Sequence, residues 1–440
     1  MTSIAVAPTA RPRLSQFRQA MLSLYWFATS VLWTAILITT LPSQAYTIGG
    51  DAVKGGTLGI ILLVGAFVSM IVAPLFGAIS DHVITRWGRR RPWLVLGTVL
   101  SLFGLVGLAY FPRANDLSSL PLFILAFMWV EFWNNVATAP YSALIPDIVP
   151  AEQRGSASGW YGMMNVLGSF VGGIAALLFT QNGVTDIVSI YYFIAVILFF
   201  GMLGTVVFVK ELPVTKKPPP FKWGVFLRGL INPFRDHDFR WVFWTRFLMI
   251  MGTYTVQEFL QYYMRDVVGT FNLFGMTVAE NAESAVSFFI IALLIGAIAS
   301  SLTAGILSDR VGRKKMVYAA SALQAIVPFI LIFFHSFWLV VVLGIVFGLG
   351  YGAYGSVDWA MASDVLPSEE DHAKDMGIWH VADTLPQVIS VPIAGLLLDR
   401  FQIIGQQQGH PTLGYTVIFM LAVIYFALGT VLVRNIRKVR

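Results

Sequence analysis

The chain is a succession of long apolar runs, each near the length needed to cross a ~30 Å hydrocarbon layer. Twelve can be marked: residues 20–42, 56–79, 92–111, 120–147, 156–180, 187–209, 240–266, 283–307, 315–335, 337–362, 377–399 and 413–433. Of the 440 residues 57% are apolar and 12% charged, far more apolar surface than a soluble chain of this length can use. In lipid the backbone must satisfy its own polar groups, and runs this long do so as helices. The expected fold is an all-α membrane protein of twelve transmembrane helices.

One unit occurs twice. Gly77-Ala-Ile-Ser-Asp81, followed by Arg86, Arg89, Arg90, Arg91 and Pro92, ends run 2, and Gly305-Ile-Leu-Ser-Asp309, followed by Arg310, Arg313, Lys314 and Lys315, ends run 8. Pro146-Asp147-Ile-Val-Pro150 ends run 4 and is echoed by Ser363-Asp364-Val-Leu-Pro367 after run 10. An offset of six runs predicts two six-helix bundles, 1–209 and 240–440, joined by a cytoplasmic linker at 210–239. Duplicated membrane units are typical of carriers whose halves move against each other.

Charge sets orientation. With both termini cytoplasmic, 24 of the 29 Lys and Arg residues fall on that side; Lys54, Arg113, Arg265 and Arg400 lie opposite, and Arg246 lies inside a run. The expected location is a plasma membrane, of bacterial inner-membrane type, crossed many times by a monomer. Basic residues scattered over short loops argue against nucleic acid. The absence of cysteine excludes disulfides and thiolate metal sites. No Gly-x-x-x-x-Gly-Lys-Ser/Thr loop is present, which excludes a P-loop pump.

The basic turns place acids beside guanidiniums. Asp81, Arg86, Arg89, Arg90, Arg91, Asp147, Arg154, Asp309, Arg313 and Asp364 are the candidate latch, forming charge-assisted bonds across a closing seam. Plain topology signalling is the simpler role.

Run 4 carries Glu131, Asn134, Asn135, Thr138 and Ser142 on one face at 100° per residue. Glu131 stands about 16 Å along the helix from Leu120, near mid-membrane. A charged carboxylate there costs roughly 2.5–3.5 kcal/mol, so burial favours taking a proton. The simpler role is a neutral Glu bonded to Asn134 or to a neighbouring helix. Run 7 aligns Arg246, Tyr254, Gln257, Glu258, Gln261 and Arg265, a polar stripe suited to a polyhydroxyl ligand, with a Glu258–Arg265 ion pair competing. Run 10 aligns Tyr351, Tyr354 and Asp358. Asp358 and Arg246 both stand about 9 Å from the cytoplasmic helix ends, which predicts an inner-gate pair; a second protonation site at Asp358 is the alternative. Run 11 places His380 beside Asp383, too few ligands for a metal site. No nucleophile accompanies them, so no catalytic set is expected. Trp33, Trp129 and Trp133 lie deep enough for one of them to stack on a sugar ring.

The duplicated turn resembles the loop signature of the major facilitator superfamily, and Gly88-Arg-Arg-Arg-Pro92 is similar to the form in sugar carriers. Run 4 resembles the fourth helix of the proton-coupled sucrose carriers of plants and their animal and bacterial relatives. They share the acid, the Asn pair three residues on, and the following Pro, Ala and Asp. Asn165-Val-Leu-Gly168 extends the match. The resemblance implies a central cavity lined by helices 1, 4, 7 and 10, with Glu131 as the site of proton coupling. Ser142 stands where the plant carriers have Arg, so the partner of Glu131 must come from elsewhere; Arg246 is the candidate. Sodium-linked glycoside carriers of the neighbouring group carry paired acids on helix 2, whereas residues 56–79 here hold no charge, which favours protons.

The expectation is a secondary transporter performing proton-coupled symport of a disaccharide or glycoside, with no cofactor but the coupling proton. Glu131 and Asp358 are the candidate proton sites. Trp33, Trp133, Asn134, Asn135, Arg246, Tyr254, Gln257, Glu258, Gln261 and Tyr354 are the candidate sugar contacts. A proton-coupled drug antiporter is the alternative within transporters, and a membrane-embedded enzyme the alternative from another class.

Overall fold

The structure is a computed structural model describing residues 13–83, 85–150, 153–211, 224, 232–365 and 372–437. Its described residues are almost wholly helical, and helices occupy all twelve marked runs, numbered below as segments 1–12. Among the described residues nine helices are long and apolar enough to cross a membrane; the first, Gln16–Ser80, contains both segments 1 and 2. The segments left over are 5 and 7.

Helix starts follow local chemistry. Pro stands in the first turn of Arg91–Tyr110 (segment 3) and of Leu120–Ser142 (segment 4), where its missing N–H is not needed. Asp236 caps His237–Gln257 (segment 7) by accepting from Asp238 and Phe239 N–H at 2.9 and 3.0 Å. Asn281 and Ser284 form a capping box at the start of Ala282–Val311 (segment 8).

Packing repeats with the sequence. Segment 1 packs on 5 and 6 as 7 packs on 11 and 12; segment 4 packs on 2 and 3 as 10 packs on 8 and 9; segments 3 and 6 pair as 9 and 12 do. The halves meet where segment 2 packs on 11 and 5 on 8, contacts that exchange under the same offset of six. The glycine run of Phe337–Val365 (segment 10) serves this packing: a Cβ on Gly348 would collide with the Leu293 carbonyl oxygen of segment 8. Without a hydrophobic drive between helices in lipid, such close backbone approach supplies the attraction.

Two short β-hairpins were not foreseen. Thr180–Gln181 pairs with Val184–Thr185 in the amino half, and Asn272–Leu273 with Met276–Thr277 in the carboxyl half. Each turns through two positive-φ residues, Asn182-Gly183 and Phe274-Gly275, as tight hairpins require. Both lie at one end of the bundle, here the hairpin end; the start of Gln16–Ala35, the end of Ile187–Phe208 and the start of His237–Gln257 lie at the other, the linker end. Linker residues Lys216–Pro220 are outside the described residues.

Candidate functional site

In the amino half a single carboxylate sits among neutral groups. Glu131 is 7% exposed, and its Oε2 accepts from Asn135 Nδ2 at 3.1 Å. The same amide donates to the Glu131 carbonyl at 2.8 Å, and Asn135 Oδ1 accepts from Ser69 Oγ of segment 2 at 3.1 Å. Among the described residues no basic side chain pairs with Glu131. Trp33 Nε1 donates to Asn134 Oδ1 at 3.2 Å, while Asn134 Nδ2 is buried with no partner. One turn beyond Trp33 the helix loosens into a π turn at Ile36–Thr40, a device frequent at functional sites.

The carboxyl half holds a charged cluster instead. Arg246 bonds Asp358 through Nη1 and both oxygens of Asp383 through Nη2, the latter at 2.5 Å. Asp358 is fully buried and also accepts from the Tyr354 hydroxyl at 3.1 Å. Depth along the helices thus brings Arg246 and Asp358 together, and segment 11 adds an acid read from the sequence as the partner of His380. The side chain of His380 lies outside the described residues. Arg246 is engaged within its own half and is not the partner of Glu131; Asn135, one helical turn on, takes that place.

Segment 7 breaks at Glu258 and Phe259, then resumes as Leu260–Tyr263 and a π turn at Met264–Val268. Its stripe is therefore not continuous. Tyr254 and Gln257 are half-buried, while Glu258 and Gln261 are buried. Glu258 Oε2 and Gln261 Oε1 have no hydrogen-bond partner, though Gln261 Nε2 donates to Glu283 Oε1 at 3.0 Å. The Glu258–Arg265 ion pair does not form. Seven residues separate the two by about 10 Å of rise. Arg265 donates from Nε to Asp266 at 3.1 Å, its guanidinium carbon 3.5 Å from the Tyr46 ring centroid.

Trp133 is not brought to this set. Two residues from Glu131 means about 200° around the helix. It packs instead with Trp129 and Phe132, ring centroids 5.8 and 5.0 Å away. Trp129 is 44% exposed and donates to the Leu100 carbonyl.

The basic turn of the amino half is tied inside that half. Arg89 Nη2 and Arg90 Nε donate to Asp147 Oδ2 at 2.8 and 3.1 Å, and Arg90 Nη1 donates to Ser80 Oγ. Arg91 reaches the Val206 carbonyl, and Arg86 is exposed. Glu211, which sequence reasoning missed, accepts from the backbone N–H groups of Arg89, Arg90 and Arg91 at 2.6 to 3.0 Å. These contacts join segments 2, 3, 4 and 6, rather than crossing to the other half as expected. Arg313 opens the helix of segment 9. The side chains of Asp81, Arg154, Asp309 and Asp364 lie outside the described residues.

At the hairpin end hydrogen bonds do cross. Ser43 Oγ donates to Glu283 at 3.1 Å, and the Tyr262 hydroxyl to the Pro42 carbonyl at 2.9 Å. Asn281 Nδ2 donates to Thr185 Oγ1 at 2.8 Å, and Lys54 of the amino half pairs with Asp266 of the carboxyl half. These contacts hold the two halves together at this end.

Known proteins agree with this architecture. The profile of the MFS/sugar transport protein family matches residues 27–434. An uncharacterized MFS-type transporter of Methanocaldococcus jannaschii is 26% identical over 365 residues, 82% of this chain and 84% of that one. The sucrose transport protein SUT1 of Oryza sativa subsp. japonica is 30% identical over 126 residues, covering 24% of this chain and only 23% of its own. A bacterial homologue of the human lysosomal transporter Spinster, solved inward-facing and unoccupied, superposes with a TM-score of 0.72 at 13% identity, covering 96% of this chain and 98% of that one. A duplicated helical bundle with buried polar groups in both halves and a family match over nearly its whole length make this chain a transporter of the MFS/sugar transport protein family, not an enzyme.

Proposed function

We propose that the chain carries out proton-coupled symport of a disaccharide or glycoside by alternating access, with Glu131 carrying the proton. The observation that supports this most is the company Glu131 keeps: a buried carboxylate whose hydrogen-bond donor is a neutral amide and which pairs with no cation among the described residues. Such a group can change protonation without breaking an ion pair.

The unpartnered atoms suit a polyol. Asn134 Nδ2 offers a donor in one half, and Glu258 Oε2 and Gln261 Oε1 offer acceptors in the other. A sugar hydroxyl both accepts and donates, so one ligand can satisfy both halves and favour their closing around it. Relatives named as sucrose transport proteins and a general alpha-glucoside permease of Schizosaccharomyces pombe point to the same class of cargo. One proton moving down 100 mV supplies ~2.3 kcal/mol, enough for roughly fifty-fold accumulation of a neutral solute.

With both termini cytoplasmic, the hairpin end faces outward. Glu131 takes a proton and sugar binds while that end is open; the halves then rock and release both at the linker end. A second reading, proton-coupled antiport of a cationic drug, draws on one observation: among the described residues four buried or half-buried acids of the membrane interior, Glu131, Glu258, Asp358 and Asp383, stand against one base there, Arg246.

Reconstitution in liposomes with an imposed pH gradient and a panel of labelled disaccharides tests the proposal. Wild-type protein accumulates one of them; Glu131→Gln abolishes accumulation and retains exchange. Undiminished gradient-driven uptake by that variant overturns the role of Glu131. Sodium dependence overturns the choice of ion, and efflux of cations without sugar uptake favours the second reading.

A further inference from the structure

Segment 2 begins in an unusual place. The helix Leu41–His82 is interrupted at Gly50 (φ 64°, ψ −171°) and Val53 (φ −134°, ψ 17°), so Lys54, Gly55 and Gly56 form a fresh first turn. The N–H groups of such a turn have no partner within their own helix. Those of Gly55 and Gly56 donate to Asp399 Oδ1 and Oδ2 at 2.9 and 2.6 Å. Asp399 belongs to segment 11, in the opposite half. A helix start in one bundle is therefore capped, through both carboxylate oxygens, by the other bundle.

The backbone makes room for this contact. A Cβ on Gly55 would stand 2.6 Å from the Gly395 carbonyl oxygen and 2.9 Å from Asp399 Oδ1, and a Cβ on Gly59 would stand 2.8 Å from Pro392 Cα. Lys54 adds the ion pair to Asp266, so two acids of the carboxyl half hold three consecutive residues of the amino half.

We propose that Asp399 is a gating residue: its carboxylate holds the hairpin end shut by capping segment 2 across the seam, and leaves those amides whenever that end opens. The cap is well suited to a releasable contact. It combines two charge-assisted hydrogen bonds with the positive pole of a helix start, yet water can solvate both partners once they part. Alternating access comes from the proposed function, but the contact itself needs neither sugar nor proton.

The chain has no cysteine, so engineered thiols can be spin-labelled without background. One pair, Val184→Cys with Met276→Cys, reports the hairpin end from two exposed positions in different halves, and Trp87→Cys with Val311→Cys reports the linker end. Distances are read in detergent by double electron–electron resonance. Asp399→Ala should shift the ratio of long to short hairpin-end distances about tenfold toward long, the loss expected for charge-assisted bonds, while linker-end distances shorten. Asp399→Asn, which keeps one acceptor oxygen, should fall between. Unchanged hairpin-end distances in Asp399→Ala overturn the proposal. Broadening at both ends without the reciprocal shift also overturns it, because that marks a structural cap rather than a gate. No transport is measured, so failure of the symport assignment leaves the outcome readable.

Discussion

The two halves share a packing plan but treat buried charge in opposite ways. The amino half surrounds Glu131 with an asparagine and, behind it, a serine. The carboxyl half locks Arg246 between Asp358 and Asp383, with Tyr354 behind. Neutral partners leave a carboxylate free to change protonation; an ion cluster makes each charge dependent on the others. Duplication thus supplied one scaffold, and divergence left Glu131 among neutral groups in one half and an ion cluster around Arg246 in the other.

That contrast is open to direct attack. The largest effect is expected at Asp358→Asn. It leaves Arg246 buried with one acid and should cost about 3–5 kcal/mol, read as a lower midpoint of thermal unfolding in detergent. Glu131→Gln should leave the same midpoint within about 1 kcal/mol, because an amide can still accept from Asn135. Equal losses in both variants would erase the distinction between the halves. Next in size is Asn135→Ala, which strips the donor from Glu131 and the acceptor from Ser69, worth about 1–3 kcal/mol. Asn135 positions the carboxylate rather than carrying the proton, so initial rates of gradient-driven uptake and of exchange should fall together, about tenfold. Loss of uptake alone would make Asn135 part of the proton path.

The smallest effect concerns helix caps. Asp186 caps Ile187–Phe208 (segment 6), accepting from Ser189 N–H at 3.1 Å and Ser189 Oγ at 2.6 Å, and these bonds hold its carboxyl below the usual carboxylate value. Its counterpart Thr412, before Leu413–Val433 (segment 12), makes no such cap. Asp186→Ala should cost about 0.5 kcal/mol, the low end for a cap because the site is exposed. A depressed folded-state value means the contribution is complete above the ordinary carboxylate range and fades as pH falls through the folded one. Unfolding midpoints of the wild type and variant should therefore converge in acid.

How legible this was in the sequence depended on the range of each interaction. The repeated Gly-x-x-Ser-Asp turns located the halves because duplication is written in order along the chain. Arg246 and Asp358 could be matched because depth is a count of residues from a helix end. Angle mattered equally: Trp133 stands at the right depth but around the helix from Glu131. Asp383 was assigned to His380 because adjacency on one helix is easier to see than a partner 137 positions away. Glu211 and Asp399 gave no local sign, since what each binds is backbone far along the chain. The break at Glu258 left no proline or glycine behind, so the polar stripe of segment 7 read as unbroken.

The glycine seams have a mechanical meaning. Segments 8 and 10 meet backbone to backbone at Gly296 and Gly348, where even a methyl group would collide. Such joints have no side-chain layer to compress or shear, so this pair should behave as a stiff lever. Compliance must then reside elsewhere, in the broken and π-wound stretches of segments 1 and 7, which makes those stretches the springs of the device and the glycine-packed pairs its rigid arms.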